Sequence, residues 1–519
     1  MAGGSGTASP LIVGVSGLRG IVGESLTPEV AYRFARAFAG WLVDRSGADA
    51  KDGAHAPRPK IVIGADGRAG YRDVLVPAIA GIESAGARAI PIGVAMTPSV
   101  AIACDAEDAA GIVITASHNP QEWNGLKCLL RTDAGAGAAS AAAPPASLAA
   151  EIIARFERES APSTVAVETE RASHSVRSFA GAGGVPEHVA RIERACVRFG
   201  LASAGLARGV RVVVDSLNAS GRIGARALAE GMLHADLVHL GSDTNGVFPH
   251  PAEPTRENLS APGGICDVVR EQHAAVGFAQ DPDADRLAII DERGEYIGEE
   301  YTLALAAYAL LLSHDARKGT SKEHDARTPV LVANLSTSRM IDDVAAKLGA
   351  RVERTPVGEA NVVERMKSLR DKGEFVLLGG EGNGGVIWPE ATYVRDSLSG
   401  MALVLALMQR TGKRVSALVN EVNALAGGSG YAILKRKVDI PSKDAAKPAV
   451  DAVKRAYEKD TKARVDLQDG VRVDWPDRKA WLHVRASNTE PIMRLIAEST
   501  SSEDSEQILG DAADIIRKG

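Results

Sequence analysis

A rhythm of short apolar strand, tight turn and helix recurs three times along the chain, and it limits the fold more than any other feature. The three regions open with apolar strands at residues 60–63, 210–215 and 330–334. Short β-branched strands that alternate with helices predict mainly parallel sheets covered by helices on both faces. Pro91 either argues against a strand at residues 88–92 or places that strand at a sheet edge. The predicted fold class is therefore α/β.

The last strand of each region runs directly into an unusual loop. Ligands of such sheets bind beyond the carboxyl ends of the strands, so three loops in equivalent places can face one shared cleft. A final region differs: it combines strand segments, a long helix at 443–462 and a terminal helix at 503–517, which predicts a small α+β domain. We divide the 519 residues into four predicted domains, I to IV, at 1–180, 181–298, 299–428 and 429–519.

Charge and cysteine content exclude several classes of protein. A formal net charge of −6 gives no basic field, so nucleic-acid binding has no support. The cysteines are far apart in the sequence, which indicates neither a zinc site nor a disulfide framework: Cys104, Cys128, Cys196 and Cys266. The apolar stretch at 301–312 is too short to span a bilayer and predicts a buried helix. We expect a cytoplasmic protein without a membrane partner.

The segment from Thr115 to Pro120 follows an apolar strand and contains Ser117, whose hydroxyl would project from the sheet edge. One interpretation is a capped turn, since Ser and Asn are common turn residues. The other is a serine nucleophile, which needs an activating group. Lys127 could return on the next strand to lie near this hydroxyl. The segment does not resemble the Gly-x-Ser-x-Gly elbow of hydrolases.

Three aspartates, Asp281, Asp283 and Asp285, alternate with other residues after another strand. In an extended loop this spacing would make the three carboxylates converge on one point. Such a cluster repels itself unless a cation is present, and an all-oxygen ligand set suits magnesium. A calcium EF-hand loop is disfavoured because Arg286 stands where the sharp turn needs Gly. A solvated acidic turn is the remaining alternative.

Residues 380–385 read Gly-Glu-Gly-Asn-Gly-Gly and formally match the GxGxxG pattern of dinucleotide-binding proteins. That fingerprint must open a helix, and Pro389 argues against a helix here, so we reject the nucleotide interpretation. Glu381 and Asn383 could instead hydrogen-bond sugar hydroxyls. A flexible hairpin is the alternative.

A last polar loop combines arginines, hydroxyls and amides, which suit a phosphate dianion held by forked hydrogen bonds. The alternative is a polar loop with ordinary ion pairs. Its candidate residues are Arg485, Ser487, Asn488, Thr489 and Arg494.

In this order, the four loops resemble those of the α-D-phosphohexomutase superfamily over almost the whole chain. The resemblance implies three related α/β domains and a clamp-like fourth domain around a central cleft. It implies a phosphohexomutase that interconverts hexose 1-phosphate and 6-phosphate through a phosphoserine and a hexose bisphosphate. It also implies Mg²⁺ as cofactor, hexose 1,6-bisphosphate as activator and a phosphorylated hexose as partner.

The resemblance also implies roles for individual residues. Ser117 is the phosphoserine, and together with its phosphate the three aspartates Asp281, Asp283 and Asp285 hold magnesium. Arg19, in Gly17-Leu18-Arg19-Gly20, lies near the phosphoserine. The other matches are Lys127 near the reacting hydroxyl, Arg286 beside the metal, Glu381 and Asn383 for the sugar, and Arg485, Ser487, Asn488, Thr489 and Arg494 for the non-reacting phosphate.

The sugar loop departs from many bacterial members, which end it with Ser-Gly-His, whereas this chain has Asn383-Gly384-Gly385. The histidine sometimes credited with proton transfer is therefore absent, which leaves Lys127, with Arg19 and His118, to manage the proton. A base role for Lys127 would require a lowered pKa. The loop is more similar to that of archaeal-type phosphoglucosamine and phosphomannose mutases, which favours glucosamine phosphate as substrate.

Two other functions fit parts of the pattern. The missing histidine supports a sugar-phosphate sensor without turnover, whereas the intact Ser117 and aspartates argue against it. A phosphatase would differ mainly in the access of water to the phosphoserine. The sequence indicates no particular oligomeric state.

Overall fold

The computed structural model describes residues 11–48, 58–133, 139–176, 184–201, 205–318, 325–428, 430–487 and 491–518. Its sheets fall within the four predicted ranges, whose boundaries stay a prediction. Within this described part, helices alternate with mixed sheets, as the α/β prediction requires. No helix of the described residues is both long enough and apolar enough to cross a membrane.

The sheet of domain I has the strand order β1-β2-β6-β5-β3-β4, with β7 paired to β6. Its strands are β1 (Ile12–Gly14), β2 (Gly17–Ile21), β3 (Lys60–Ala65), β4 (Arg88–Val94), β5 (Ala110–Ile114), β6 (Trp123–Asp133) and β7 (Ala139–Ala142). Its helices are α1 (Pro28–Ala48), α2 (Arg72–Ser84), α3 (Thr97–Glu107), α4 (Ala146–Arg158) and α5 (Val165–Val176). The segment that contains Pro91 is a strand and lies at the sheet edge, which was one of the two interpretations of this proline.

Domain II has the strand order β11-β10-β8-β9. Its elements are α6 (Val185–Arg198), β8 (Arg211–Asp215), α7 (Gly221–Arg226) with a following π-helical turn (Ala227–Met232), β9 (Asp236–Leu240), α8 (Arg256–Leu259), α9 (Ile265–Glu271), β10 (Val276–Gln280) and β11 (Leu287–Ile290).

Domain III repeats this plan with the order β13-β12-β14-β15. Its elements are α10 (Glu300–Ala316), β12 (Pro329–Asn334), α11 (Met340–Lys347), β13 (Arg351–Thr355), α12 (Glu359–Asp371), β14 (Phe375–Glu381), β15 (Gly385–Ile387), α13 (Ser397–Thr411) and α14 (Val415–Ala426). Helix α10, the predicted buried helix, packs against α13 in a core that domains II and III share.

The chemistry-bearing loops of domains I to III occupy equivalent places. Each joins a strand of the parallel part of its sheet to an antiparallel neighbour: β5 to β6, β10 to β11, and β14 to β15. The mainly parallel prediction therefore describes three neighbouring strands of each sheet, which end at one sheet edge, and an antiparallel strand lies on their other side. In all three domains the loop lies beyond the carboxyl end of a central strand, as expected for ligand sites.

Domain IV is an antiparallel sheet in the order β16-β20-β19-β18-β17. Its elements are β16 (Ala432–Asp439), α15 (Ala446–Tyr457), β17 (Arg464–Asp466), β18 (Val471–Trp475), β19 (Ala480–Ala486), β20 (Ile492–Ser499) and α16 (Ser502–Lys518). The two helices cover one face of the sheet with apolar side chains such as Val453 and Ile508. The first helix is shorter than the predicted range of 443–462.

Candidate active site

Ser117 lies in the turn after β5 with its backbone in the left-handed region, at φ 50°. Few residues other than glycine adopt this conformation, and they do so mostly where the surroundings enforce it. The Ser117 amide donates to Thr115 Oγ1 at 2.8 Å, and the Ser117 hydroxyl donates to Asp281 Oδ2 at 2.8 Å. The predicted nucleophile thus directly contacts the predicted metal loop.

A buried arginine that the sequence analysis did not single out enforces this turn. Arg68 is fully buried, and its guanidinium donates to the carbonyl oxygens of Ser117 at 2.6 Å and Trp123 at 2.7 Å. Its Nε donates to Asp66 Oδ2 at 2.8 Å, and the same carboxylate oxygen accepts the Thr115 hydroxyl at 2.7 Å. This network fixes the direction in which the serine hydroxyl points.

The aspartate loop is a tight turn, and our expectation of an extended loop is wrong. The Ala284 amide donates to the Asp281 carbonyl at 2.9 Å, and Ala284 has a left-handed φ of 53°. The three carboxylates nevertheless converge, because one oxygen of each lies within 4.8 Å of the others. The turn, rather than strand-like alternation, brings Asp283 and Asp285 to the same side.

Protein groups occupy one oxygen of Asp283, one oxygen of Asp285 and both oxygens of Asp281. Asp281 Oδ1 accepts the amides of Asp285 and Arg286, both at 3.1 Å. Asp283 Oδ2 accepts the hydroxyl of Thr97, from the start of α3, at 2.6 Å. The other oxygens of Asp283 and Asp285, both named Oδ1, are buried without a hydrogen-bond partner.

These orphaned oxygens fit a divalent cation. Burial, followed by repulsion from the neighbouring carboxylates, raises the pKa values of Asp281 and Asp283. Burial would raise the pKa of Asp285 too, but Arg395 and Lys127 outweigh it and lower that pKa. Three buried carboxylates, two of them with an unpartnered oxygen and the third bonded to the serine hydroxyl, form an all-oxygen donor set of the kind that magnesium prefers.

Lys127 projects from β6 into this cluster, where its Nζ lies 3.1 Å from Asp285 Oδ2 and 3.2 Å from Glu359 Oε2. Burial alone would lower the pKa of the Lys127 ammonium, but Glu359 and Asp285 outweigh it and raise the pKa. The lowered pKa that a base role requires is therefore not found in this arrangement.

Arg19 and His118 flank the serine turn. Arg19 Nη1 donates to Asn119 Oδ1 at 3.2 Å, and His118 Nδ1 lies 3.3 Å from Ser117 Oγ. Burial, with Arg286 and Arg19 nearby, lowers the pKa of His118 to about 3. The imidazole is therefore neutral at physiological pH and can exchange a hydrogen bond with the serine.

The sugar loop is held firmly at both of its polar side chains. Glu381 Oε1 accepts the Asn334 amide at 2.8 Å, and Glu381 Oε2 accepts Arg395 Nη1 at 2.8 Å. Asn383 Oδ1 accepts the Gly385 amide at 3.2 Å. The loop is a β14–β15 hairpin with defined hydrogen bonds.

A row of cations crosses the strands of domain IV. Arg485 on β19 pairs with Arg494 on β20, and Arg494 pairs with Lys437 on β16, so the three side chains lie on one face. Lys437 was missed in the sequence, where it stands far from the predicted loop. Ser487 is buried, and its amide donates to the Ile492 carbonyl at 3.0 Å. Asn488 and Thr489 lie outside the described residues.

One cavity of about 500 Å³ connects these groups. It reaches from His118 beside the serine turn, past Arg286 and the sugar loop, to the cationic row of domain IV. Its charged and polar lining includes His118, Arg286, Glu300, Asn334, Glu381, Asn383, Lys437, Arg485 and Arg494. The four predicted loops therefore border one cleft, with cationic groups at both ends and hydrogen-bonding groups between.

Profiles of four successive family domains match the chain in order. The "Phosphoglucomutase/phosphomannomutase, alpha/beta/alpha" domains I, II and III match residues 10–160, 186–294 and 299–425, respectively. The "Phosphoglucomutase/phosphomannomutase, C-terminal domain" matches residues 435–515.

Comparisons of the whole chain with related proteins and solved structures agree with these domain matches. The chain is 32% identical to a phosphoglucomutase/phosphomannomutase of Thermococcus kodakarensis, over 96% of both proteins. It is 29% identical to a probable phosphoglucosamine mutase of Methanopyrus kandleri, over 97% of both. The crystal structure of a phosphoglucomutase/phosphomannomutase family protein from Burkholderia thailandensis shares the fold, with a TM-score of 0.72, 23% identity and 98% of both chains covered.

Proposed function

The chain belongs to the phosphoglucomutase/phosphomannomutase family, and we propose that it is a phosphohexomutase that interconverts hexose 1-phosphate and hexose 6-phosphate. The observation that carries this proposal is the contact of Ser117 Oγ with Asp281, at 2.8 Å, beside a cavity that ends at the cationic row of domain IV. A phosphoryl carrier at one end and a phosphate-binding surface at the other suit a sugar with two phosphorylation sites.

The cycle has two phosphoryl transfers. The hydroxyl oxygen at position 1 or 6 bonds to the phosphorus of phospho-Ser117 while the bond from Ser117 Oγ to phosphorus breaks, which leaves a hexose bisphosphate. The proton of the sugar hydroxyl ends on Ser117 Oγ. The bisphosphate then turns over in the cleft, and its other phosphate returns to Ser117 with the reverse movement of the proton.

Lys127, with Arg19 and His118 beside the serine turn, forms the group that we propose manages this proton. Glu359 and Asp285 hold Lys127 as an ammonium, which suits donation to the leaving oxygen and stabilisation of the transferred oxygens. In this assignment Lys127 acts first as an acid, and becomes a base once it has given up its proton.

Asp281, Asp283 and Asp285, with the phosphate on Ser117, would hold Mg²⁺. The ion would supply positive charge against the transferred phosphoryl oxygens. Arg286, which lines the cavity beside the cluster, adds a fixed cation on the same side. Hexose 1,6-bisphosphate would act as activator because it can phosphorylate a free Ser117.

The remaining groups orient the sugar. Arg485, Arg494 and Lys437 would bind the phosphate that is not reacting, and Glu381 with Asn383 would bind ring hydroxyls. We also place Ser487, Asn488 and Thr489 at this phosphate, on the family resemblance. Because the two phosphates exchange places when the intermediate turns over, one phosphate-binding surface serves both transfers.

Glucosamine phosphate is the preferred candidate substrate, with mannose and glucose phosphates as the alternatives. The Gly-Glu-Gly-Asn-Gly-Gly loop and the likeness to a probable phosphoglucosamine mutase support this choice. A cytoplasmic location stays a prediction from the sequence.

The test is a coupled assay with the 1-phosphates of glucosamine, mannose and glucose, each with and without the matching 1,6-bisphosphate. We expect isomerisation that requires Mg²⁺ and is stimulated by bisphosphate. Binding without isomerisation would indicate a sensor, and release of inorganic phosphate would indicate a phosphatase. Either result would contradict the proposed mutase.

A further inference from the structure

Arg395, which lies between β15 and α13, is shared by carboxylates of three different elements. Its Nη2 donates to Asp285 Oδ2 at 2.6 Å, and its Nη1 donates to Glu381 Oε2 at 2.8 Å. Its backbone amide donates to Glu359 Oε1 at 3.0 Å. One guanidinium therefore bridges the metal loop and the sugar loop, from a place that does not border the cavity.

The backbone that carries Arg395 is itself fixed by neighbouring elements. The Asp396 carboxylate caps α13 by accepting the amides of Leu398 at 3.0 Å and Ser399 at 3.2 Å. Asp396 Oδ2 also lies 3.0 Å from Nε2 of the fully buried His188, on α6. The Ser397 amide donates to the carbonyl of Ala284, within the metal loop, at 3.2 Å. The guanidinium thus has little freedom to follow a displaced carboxylate.

Gly385 provides the space that Arg395 occupies. A Cβ atom on Gly385 would lie 2.3 Å from Cδ and 3.0 Å from Cγ of Arg395. Gly385 does not have a positive φ, so the reason for glycine here is close packing rather than backbone conformation. Any side chain at position 385, including the histidine of similar sugar loops, would have to displace the arginine.

The charges around Arg395 explain why its position matters. Asp285, Glu359 and Glu381 are all buried, and Arg395 and Lys127 are the cations that lie within 4 Å of Asp285 Oδ2 among the described residues. Without Arg395, Glu381 would keep the side-chain amide of Asn334 and Asp285 would keep Lys127. The two carboxylates would lose the guanidinium between them and would repel each other in a medium of low dielectric constant. Asp285 could then turn its unpartnered Oδ1 away from the cation site.

We propose that Arg395 is a positioning residue that holds Asp285 for the metal and Glu381 for the sugar, and so couples the two halves of the site. The proposal rests on the proposed mutase function for its sugar half and on the aspartate cluster for its metal half. Gly385 is part of the same device, because it leaves room for the arginine side chain.

The test compares Arg395→Met, Arg395→Lys and Gly385→Ala with the matched control Arg370→Met. Arg370 is another partly buried arginine of domain III, bonded to Tyr393 and Glu390 outside the site, at 2.9 Å in both cases. The readouts are Mn²⁺ affinity by electron paramagnetic resonance in the absence of sugar, and KM and kcat with glucosamine 6-phosphate, or with whichever hexose 6-phosphate the wild type turns over.

For Arg395→Met we expect Mn²⁺ affinity to fall by about tenfold or more, as is typical when a partner of a metal ligand is lost. We also expect KM for the hexose phosphate to rise, while Arg370→Met changes neither value by more than about twofold. Arg395→Lys and Gly385→Ala should shift both values in the same direction by less.

Unchanged Mn²⁺ affinity and KM in folded Arg395→Met would overturn the proposal. If that variant does not fold, Gly385→Ala decides, and unchanged values there overturn the proposal equally. A wild-type enzyme that isomerises no hexose phosphate would instead remove the proposed function. Weakened Mn²⁺ binding by Arg395→Met would, even then, support the metal half of the positioning role.

Discussion

Ser117 combines an enforced left-handed backbone with a hydroxyl that contacts Asp281, so the proposed phosphoryl carrier is held in place before substrate binds. We expect Ser117→Ala to lower turnover by about a thousandfold or more, because alanine has no hydroxyl to carry the phosphoryl group between transfers. The coupled assay measures turnover, and intact-mass spectrometry after incubation with hexose bisphosphate measures phosphorylation. Ser173→Ala on α5 is the matched control and should keep full activity. Full activity of Ser117→Ala would instead remove Ser117 from the mechanism.

Asp283 has one oxygen bonded to Thr97 and one buried oxygen without a partner. Asp283→Asn keeps an acceptor for Thr97 but removes the charge. We therefore expect the Mg²⁺ concentration for half-maximal activity to rise by about tenfold or more, or activity to disappear. A magnesium titration of the rate measures this, with Asp267→Asn on α9 as control. An unchanged titration curve would argue against the metal assignment.

The sequence revealed the residues whose pattern is local and missed those whose partners are distant. Ser117 and the three aspartates stand in short motifs directly after strands. Arg68 and Thr97 act through contacts that are 49 and 186 residues apart in the sequence, so no local pattern marks them. For Lys127 the sequence predicted the position, but the raised pKa depends on Glu359, whose proximity only the fold reveals.

At the scale of elements, the three α/β domains repeat one device at the end of a central strand. Asp66 directly follows β3, Asp215 is the last residue of β8, and Asn334 is the last residue of β12. Their side-chain oxygens accept the amides two residues further on, at 3.0, 3.0 and 2.9 Å. Asp66 then supports the serine turn and Asn334 supports Glu381. The strand rhythm was visible in the sequence, but these supporting bonds were not.

The first strand of domain IV, β16, contains a run of charged residues. It begins at Ala432, and the consecutive residues Lys435, Arg436 and Lys437 make its middle look polar in the sequence. Those lysines lie on the sheet face opposite the helices. Both lysines line the cavity, so their charge extends the cationic row along β16.

The cationic row predicts how substrate binding responds to mutation. Arg494→Ala and Lys437→Ala should each raise KM for hexose phosphate by about tenfold with a smaller change in kcat, because both remove a cation that we propose binds the non-reacting phosphate. Steady-state kinetics at several salt concentrations measure this. Lys447→Ala, an exposed lysine on the opposite face, is the control. Unchanged KM in both variants would remove the row from phosphate binding.

At the scale of the whole molecule, the site depends on how domain IV docks on domain III. His483 on β19 is central to this junction: its Nδ1 lies 2.9 Å from the hydroxyl of Ser336, and its Nε2 lies 2.7 Å from the Asp469 carbonyl. Asp469 in turn accepts the Val357 amide at 3.0 Å. Ser336 and Val357 line the cavity, so the junction and the site share residues. The sequence predicted the clamp-like domain but not this histidine.

Burial lowers the pKa of His483 to about 4, whereas a histidine in the unfolded chain has a pKa near 6.5. Between these values the unfolded chain binds the proton more readily than the folded protein does. The stability that the neutral imidazole contributes is therefore complete above about pH 6.5 and is lost progressively as the pH falls towards 4. The largest loss that this difference allows is about 3 kcal/mol.

We expect His483→Gln, which cannot titrate but retains a donor and an acceptor, to be less acid-sensitive than the wild type. Urea unfolding at pH 7.5 and 4.5 measures this, since the wild type should lose more free energy of unfolding between these values than His483→Gln does. His118 and His239 have lowered pKa values in both proteins, so the difference between the two curves isolates His483. His273→Gln, an exposed histidine of domain II, should follow the wild type. Parallel curves for His483→Gln and the wild type would mean that protonation of this junction does not destabilise the docked domain.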